Sequence, residues 1–116
     1  MITYTLSFSP TQYTISAEGK QTAPQLCEFG PVTETEAALM TLTVGLGDLL
    51  VRIQRADKEP FNYGVIALSE LPETYEQLNF INYEDLPPKA TKLRARALGL
   101  LRRFGEWKVD TEAERV

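Results

Sequence analysis

Histidine is absent from this chain of 116 residues. Its absence removes the usual general base near neutral pH, the commonest zinc ligand and every Ser-His or Cys-His nucleophile pair. A single cysteine, Cys27, rules out an internal disulfide and fits a reducing compartment, and a small core thiol is its expected role. No run approaches the ~20 apolar residues that cross a bilayer. The alternating N-terminus also lacks the basic and continuously apolar regions of a secretion signal, so the expected location is the cytoplasm, with no membrane partner. Glycine-rich phosphate motifs are missing too. Gly45-Leu46-Gly47-Asp48 has neither the third glycine of a dinucleotide fingerprint nor a P-loop lysine. Glu84 and Asp85 are adjacent acids without calcium-loop spacing, so they read as a loop or helix-end feature before Pro87 and Pro88. No catalytic residue, metal ligand or cofactor site stands out, and the chain reads as no enzyme.

The stretch from Thr33 to Lys58 is what organises the rest. Leu39, Leu42, Leu46, Leu49 and Ile53 recur at steps of three and four, which places five branched side chains on one face of a helix. Thr33 and Glu36 have the spacing of a capping box. Glu34 and Glu36 suit the positive end of the helix dipole, Arg52 and Arg55 the negative end, and Pro60 is the expected stop. Gly45 and Gly47 each cost roughly 1 kcal/mol inside a helix, but the stripe spans them in register. A helix continuing to about Ala56 is therefore favoured over a strand at 39–44 followed by a phosphate-cradling turn.

Before this helix, Ile2, Tyr4, Leu6 and Phe8 alternate with polar residues, and Tyr13, Ile15 and Ala17 resume the alternation after Ser9 and Pro10. That is an antiparallel hairpin with one dry face. A short strand is expected at Leu26 to Phe29 and another at Tyr63 to Leu68. Pro72 to about Asn79 reads as a short helix behind a Ser69 cap, and Phe80 to Tyr83 is undecided between helix and strand. Leu93, Ala97, Leu100, Phe104 and Trp107 predict a second long helix from about Pro88 to Trp107. The expected fold is α+β: a small antiparallel sheet, the N-terminal hairpin plus one to three further strands, packed on two long amphipathic helices. One domain is expected over 1–109, with a loose tail over 110–116.

Charge is the feature that departs from an ordinary domain. Residues 89–108 hold seven cations against Glu106 alone, while the remainder has five basic and fifteen acidic residues, for a net charge of −4. Lys89, Lys92, Arg96 and Arg103 fall along one flank of the apolar stripe, an electrostatic footprint for an acidic partner. The competing explanation is a solvated helix face paired internally. Tyr63, Tyr75 and Tyr83 belong to an aromatic segment suited to an interface. The function expected first is a non-catalytic, protein-binding adaptor, inhibitor or assembly factor. It would use the basic flank and the three tyrosines against an acidic protein surface or a second copy of the chain. A small nucleic-acid-binding regulator using the same flank comes next, and a phosphate binder at Gly45-Leu46-Gly47-Asp48 last.

Overall fold

A computed structural model describes residues 2–80 and 86–112. The N-terminal alternation forms β1 (Ile2–Phe8) and β2 (Gln12–Ala17), paired antiparallel with Leu6 opposite Ile15 and Phe8 opposite Tyr13. Ser9 closes the connection, because its Oγ accepts from the Thr11 and Gln12 N–H groups, each at 3.2 Å. At the other end of β2, Glu18 and Gly19 both take positive φ (52° and 79°), the backbone of a tight two-residue hairpin turn. The chain returns as two short strands on the outer side of β2, β3 (Lys20–Gln21) and β4 (Gln25–Leu26). β4 covers only the start of the strand expected at Leu26 to Phe29.

The helix α1 (Glu34–Arg55) is continuous through both glycines. Thr33 Oγ1 accepts from Glu36 N–H at 3.1 Å and donates to Glu36 Oε1 at 3.1 Å, so the capping box forms. The far end stops earlier than Pro60. Asp57 takes φ 58°, its N–H donates to Gln54 O at 3.0 Å, and Lys58 N–H donates to Ile53 O at 3.2 Å, the left-handed ending that satisfies the last carbonyls. Leu39, Leu42, Leu46 and Leu49 have no exposed surface, and Ile53 has almost none. Gly45 allows the close approach to the hairpin, since a Cβ there would lie 2.9 Å from Leu6 Cδ1 and 3.2 Å from the Tyr13 ring. A helix therefore replaces the glycine-rich turn at Gly45-Leu46-Gly47-Asp48, and the phosphate-binder expectation fails with it.

A single turn of 3-10 helix, Pro60–Asn62, leads into β5 (Tyr63–Ser69). Here the expected sheet is corrected. β5 pairs with β1 in parallel, Ile2 opposite Tyr63 through Phe8 opposite Ser69, and a further strand β6 (Glu106–Thr111) pairs with β5 in parallel as well. The sheet is mixed, with order β3-β2-β1-β5-β6 and β4 beside β2, and not the small antiparallel sheet expected. The physical reason lies in β5, which is buried along nearly its whole length. A continuous apolar run marks a central parallel strand reached by a helical crossover.

Three helices accompany the sheet, not two. α2 (Pro72–Asn79) follows β5, and α3 (Pro88–Leu101) leads to β6. Ser69 is no helix cap. Its Oγ donates to Leu71 O at 2.9 Å and accepts from Leu71 N–H at 3.1 Å, which turns the chain between strand and helix. α3 ends six residues before the expected Trp107. Its stripe packs against α1, which lies on β1 and β2, while α2 lies on β5 and β6, and the buried residues of both stripes belong to one core. β6 carries the sheet through Thr111, which is buried. No helix among the described residues is long and apolar enough to cross a membrane.

Candidate functional site

Three adjacent strands, β1, β5 and β6, run in one direction, so their carboxyl ends share one edge of the sheet. In such sheets ligands bind beyond the carboxyl ends, where the strand order turns. Here β1 is followed on one side by β2 and, through α1, on the other side by β5. The N-terminal ends of the helices gather at the same edge. Thr41 Oγ1 of α1 donates to Pro10 O at 3.3 Å, Thr35 Oγ1 donates to Glu73 Oε2 of α2 at 2.8 Å, and Lys89 of α3 pairs with Glu36 at 3.4 Å. The second oxygen of Glu36 has this ion pair and no directed hydrogen bond.

A cleft of about 300 Å³ opens at this edge, with Ser7, Ser9, Gln12, Thr14, Glu70 and Glu112 among its lining. Glu70 stands one residue past β5, where its N–H donates to Phe8 O at 3.2 Å, and Glu112 one residue past β6. Strand pairing thus brings together two carboxylates 42 residues apart in sequence. The buried hydroxyls nearby are committed to turns: Ser9 closes β1 to β2 and Ser69 closes β5 to α2. Among the described residues neither hydroxyl hydrogen-bonds a carboxylate or other base, so neither is set up as a nucleophile. A larger groove of about 640 Å³ lies next to α1, with Pro10, Thr11, Cys27, Phe29 and Thr33 in its wall. Cys27 is half-buried at its side, not deep in the core.

The basic flank divides. Lys89 is held by Glu36. Arg94 is absorbed by the fold, because its Nε donates to Gln77 O and its Nη2 to Phe80 O at 2.9 Å, closing the end of α2. Lys92, Arg96, Arg102 and Arg103 are exposed, and among the described residues none has a carboxylate within ion-pair distance. Arg103 lies beyond the last residue of α3, in the turn to β6.

The tyrosines do not form one surface. Tyr63 is buried in the core against Tyr4, with ring centroids 5.8 Å apart. Tyr75 is half-buried on α2, and Tyr83 lies outside the described residues, as do Glu84 and Asp85. Another tyrosine anchors α1 to the sheet: Tyr13 Oη donates to Asp48 Oδ2 at 2.9 Å, and Asp48 Oδ1 receives Arg52 Nε at 3.0 Å. Burial, with the hydrogen bond and charge of Asp48, pushes the Tyr13 phenol up to about 12. Glu70 and Glu112 were missed in the sequence. The only signal in the sequence is an acid just after each of two strands, and the pattern over β6 reads as the end of a helix and a tail.

No protein-family model matches the chain, and no curated protein matches it in sequence. Solved structures do match in architecture. Ribonuclease H1 from the archaeon Halobacterium salinarum superimposes with a TM-score of 0.70 at 17% identity, over 97% of this chain and 88% of that one. The N-terminal ribonuclease H domain of a Mycobacterium tuberculosis protein, fused to maltose-binding protein, gives 0.67 at 16% identity, over 92% of this chain and 86% of that one. The expectation of a non-catalytic adaptor, inhibitor or assembly factor, and with it of no enzyme, is corrected by this likeness, because the proteins that share the architecture are ribonucleases. A mixed sheet in the order β3-β2-β1-β5-β6, crossed by three helices, gives this chain the ribonuclease H-like fold.

Proposed function

We propose that this chain is a nucleic-acid-processing domain that seats a sugar–phosphate backbone along α3 and presents it to the edge holding Glu70 and Glu112. The observation that carries this reading is the row of exposed cations on a fold shared with ribonucleases H. Lys92 and Arg96 lie one turn apart on α3, with Arg102 and Arg103 at its end and no carboxylate partner among the described residues. Helix α3 is 14 residues long, about 21 Å at 1.5 Å per residue, which spans roughly six phosphates of one duplex strand. The remaining acidic surface repels phosphate and restricts the strand to this side.

Cation-assisted hydrolysis at a phosphodiester needs several converging carboxylates. Glu70 and Glu112 supply two, and among the described residues no group of three or more metal-binding side chains exists. The residues do not fit a two-cation centre. What the chain itself supplies is binding and orientation of the backbone.

Binding of a labelled RNA·DNA hybrid, followed by fluorescence anisotropy, tests the reading. Affinity is expected to fall steeply between about 50 and 200 mM salt, and the Arg96→Glu, Arg103→Glu double variant to lose about tenfold or more at the low end. Absence of binding at low salt would overturn it. Cleavage is followed in the same samples. Binding without cleavage is the expected result, and cleavage that a Glu70→Gln, Glu112→Gln variant loses while keeping its affinity would overturn the reading of the cleft as lacking a cation centre.

A further inference from the structure

Phe61 exposes 62% of its surface, yet the backbone carrying it is fixed on both sides. It is the middle residue of the turn Pro60–Asn62, in which Asn62 N–H donates to Glu59 O at 3.1 Å. Its carbonyl lies so close to Gly105 that a Cβ there would overlap it, and Gly105 N–H donates to Tyr63 O at 2.8 Å. Arg102 and Arg103 come just before that contact, and both are exposed. An aromatic ring is thus held out in water where the chain leaving α3, just past two exposed arginines, packs its backbone on this turn, at the end of α3 away from the cleft at Glu70 and Glu112.

We propose that Phe61, with Arg102 and Arg103, forms a stacking platform for an unpaired nucleobase at the far end of the α3 track. Every base has a π-face, so an exposed ring takes any of them, while arginines hold the adjoining phosphates. Glu59 and Glu106 stand on either side in sequence and offset part of the positive charge. Selection therefore falls on the ring, and a paired base inside a blunt duplex cannot use it. The occupant that fits is single-stranded nucleic acid, or a single-stranded extension of a duplex lying along α3. This inference rests on the nucleic-acid reading above.

Three labelled probes test it: a DNA single strand, a blunt RNA·DNA hybrid, and the same hybrid with a single-stranded extension. Phe61→Ala is expected to weaken the single strand and the extended hybrid about 5- to 100-fold, with the blunt hybrid unchanged within about twofold. The salt slope should stay the same, because stacking releases no counterions. Phe61→Trp should restore binding. Equal affinity of wild type and Phe61→Ala for all three probes, or an equal loss on all three, overturns the platform and leaves the nucleic-acid reading standing. Failure of the wild-type chain to bind any probe at low salt overturns both.

Discussion

The two long helices carry apolar stripes of the same three-and-four spacing, yet α1 runs on through Gly45 and Gly47 while α3 stops at Leu101. Helix propensity does not separate them, since each sequence contains glycine. What lies against the glycine does. At Gly45 the neighbours are the Leu6 and Tyr13 side chains, which fit against a helix lacking a Cβ and hold it straight over the hairpin. At Gly105 the neighbour is the backbone of Phe61, and the chain has already turned to pair with β5. One glycine lets a helix lie close to a sheet. The other lets a strand enter it.

The contrast can be broken most severely at the second site. Gly105→Ala sets a methyl group against a carbonyl that cannot move without shifting the start of β5. A loss of about 3 kcal/mol is expected in urea unfolding, the upper range of overpacking. A change below about 0.5 kcal/mol, the scatter of ordinary surface substitutions, would show that the turn yields freely.

A smaller effect is expected where α1 is tied to the hairpin. Tyr13→Phe removes the hydroxyl bond to Asp48 and should cost about 1 kcal/mol near neutral pH. The sign with pH follows from the raised phenol. Folded Tyr13 keeps its proton up to about 12, whereas an unfolded tyrosine loses it near 10. The folded state then binds more protons between these values, so the stabilisation is intact below about pH 10 and lost as pH rises toward 12. Denaturation of wild type and Tyr13→Phe across this window should show the gap closing, and a constant gap would contradict the assignment.

The smallest effect has the opposite sign. Gly47 has open space where a Cβ would go, so Gly47→Ala should stabilise the protein by about 0.5–1 kcal/mol through helix propensity and a less flexible unfolded chain. A lower melting temperature in this variant would show that α1 is not a regular helix at that point.

Local chemistry explains which parts were legible in the sequence. The capping box at Thr33 and Glu36, the stripe from Leu39 to Ile53 and the alternation from Ile2 to Ala17 depend on residues close together in the chain, and all formed. Parallel pairing leaves no such mark, because β1 and β5 are joined only through α1 and their partnership is decided by burial of β5 on both faces. The C-terminal error has a specific origin. Phe104 and Trp107 continue the three-and-four spacing of α3, while Trp107, Val109 and Thr111 also alternate as a strand. Gly105, whose backbone packs on Phe61, settled the choice in favour of the strand. Glu70 and Glu112 become neighbours only once that strand is in place. The exposed cations Lys92 and Arg96 were visible as a helical flank, but the engagement of Lys89 by Glu36 and of Arg94 by two carbonyls depends on tertiary contacts.

Among the described residues β6 is the last strand of the sheet on its side, and such an edge offers unpaired peptide groups to any passing chain. Asn79 Nδ2 donates to Val109 O at 3.1 Å, and α2 lies along the same margin. A side-chain amide thus occupies an acceptor that a foreign strand would need to begin zipping on, which guards this border against fibrillar growth.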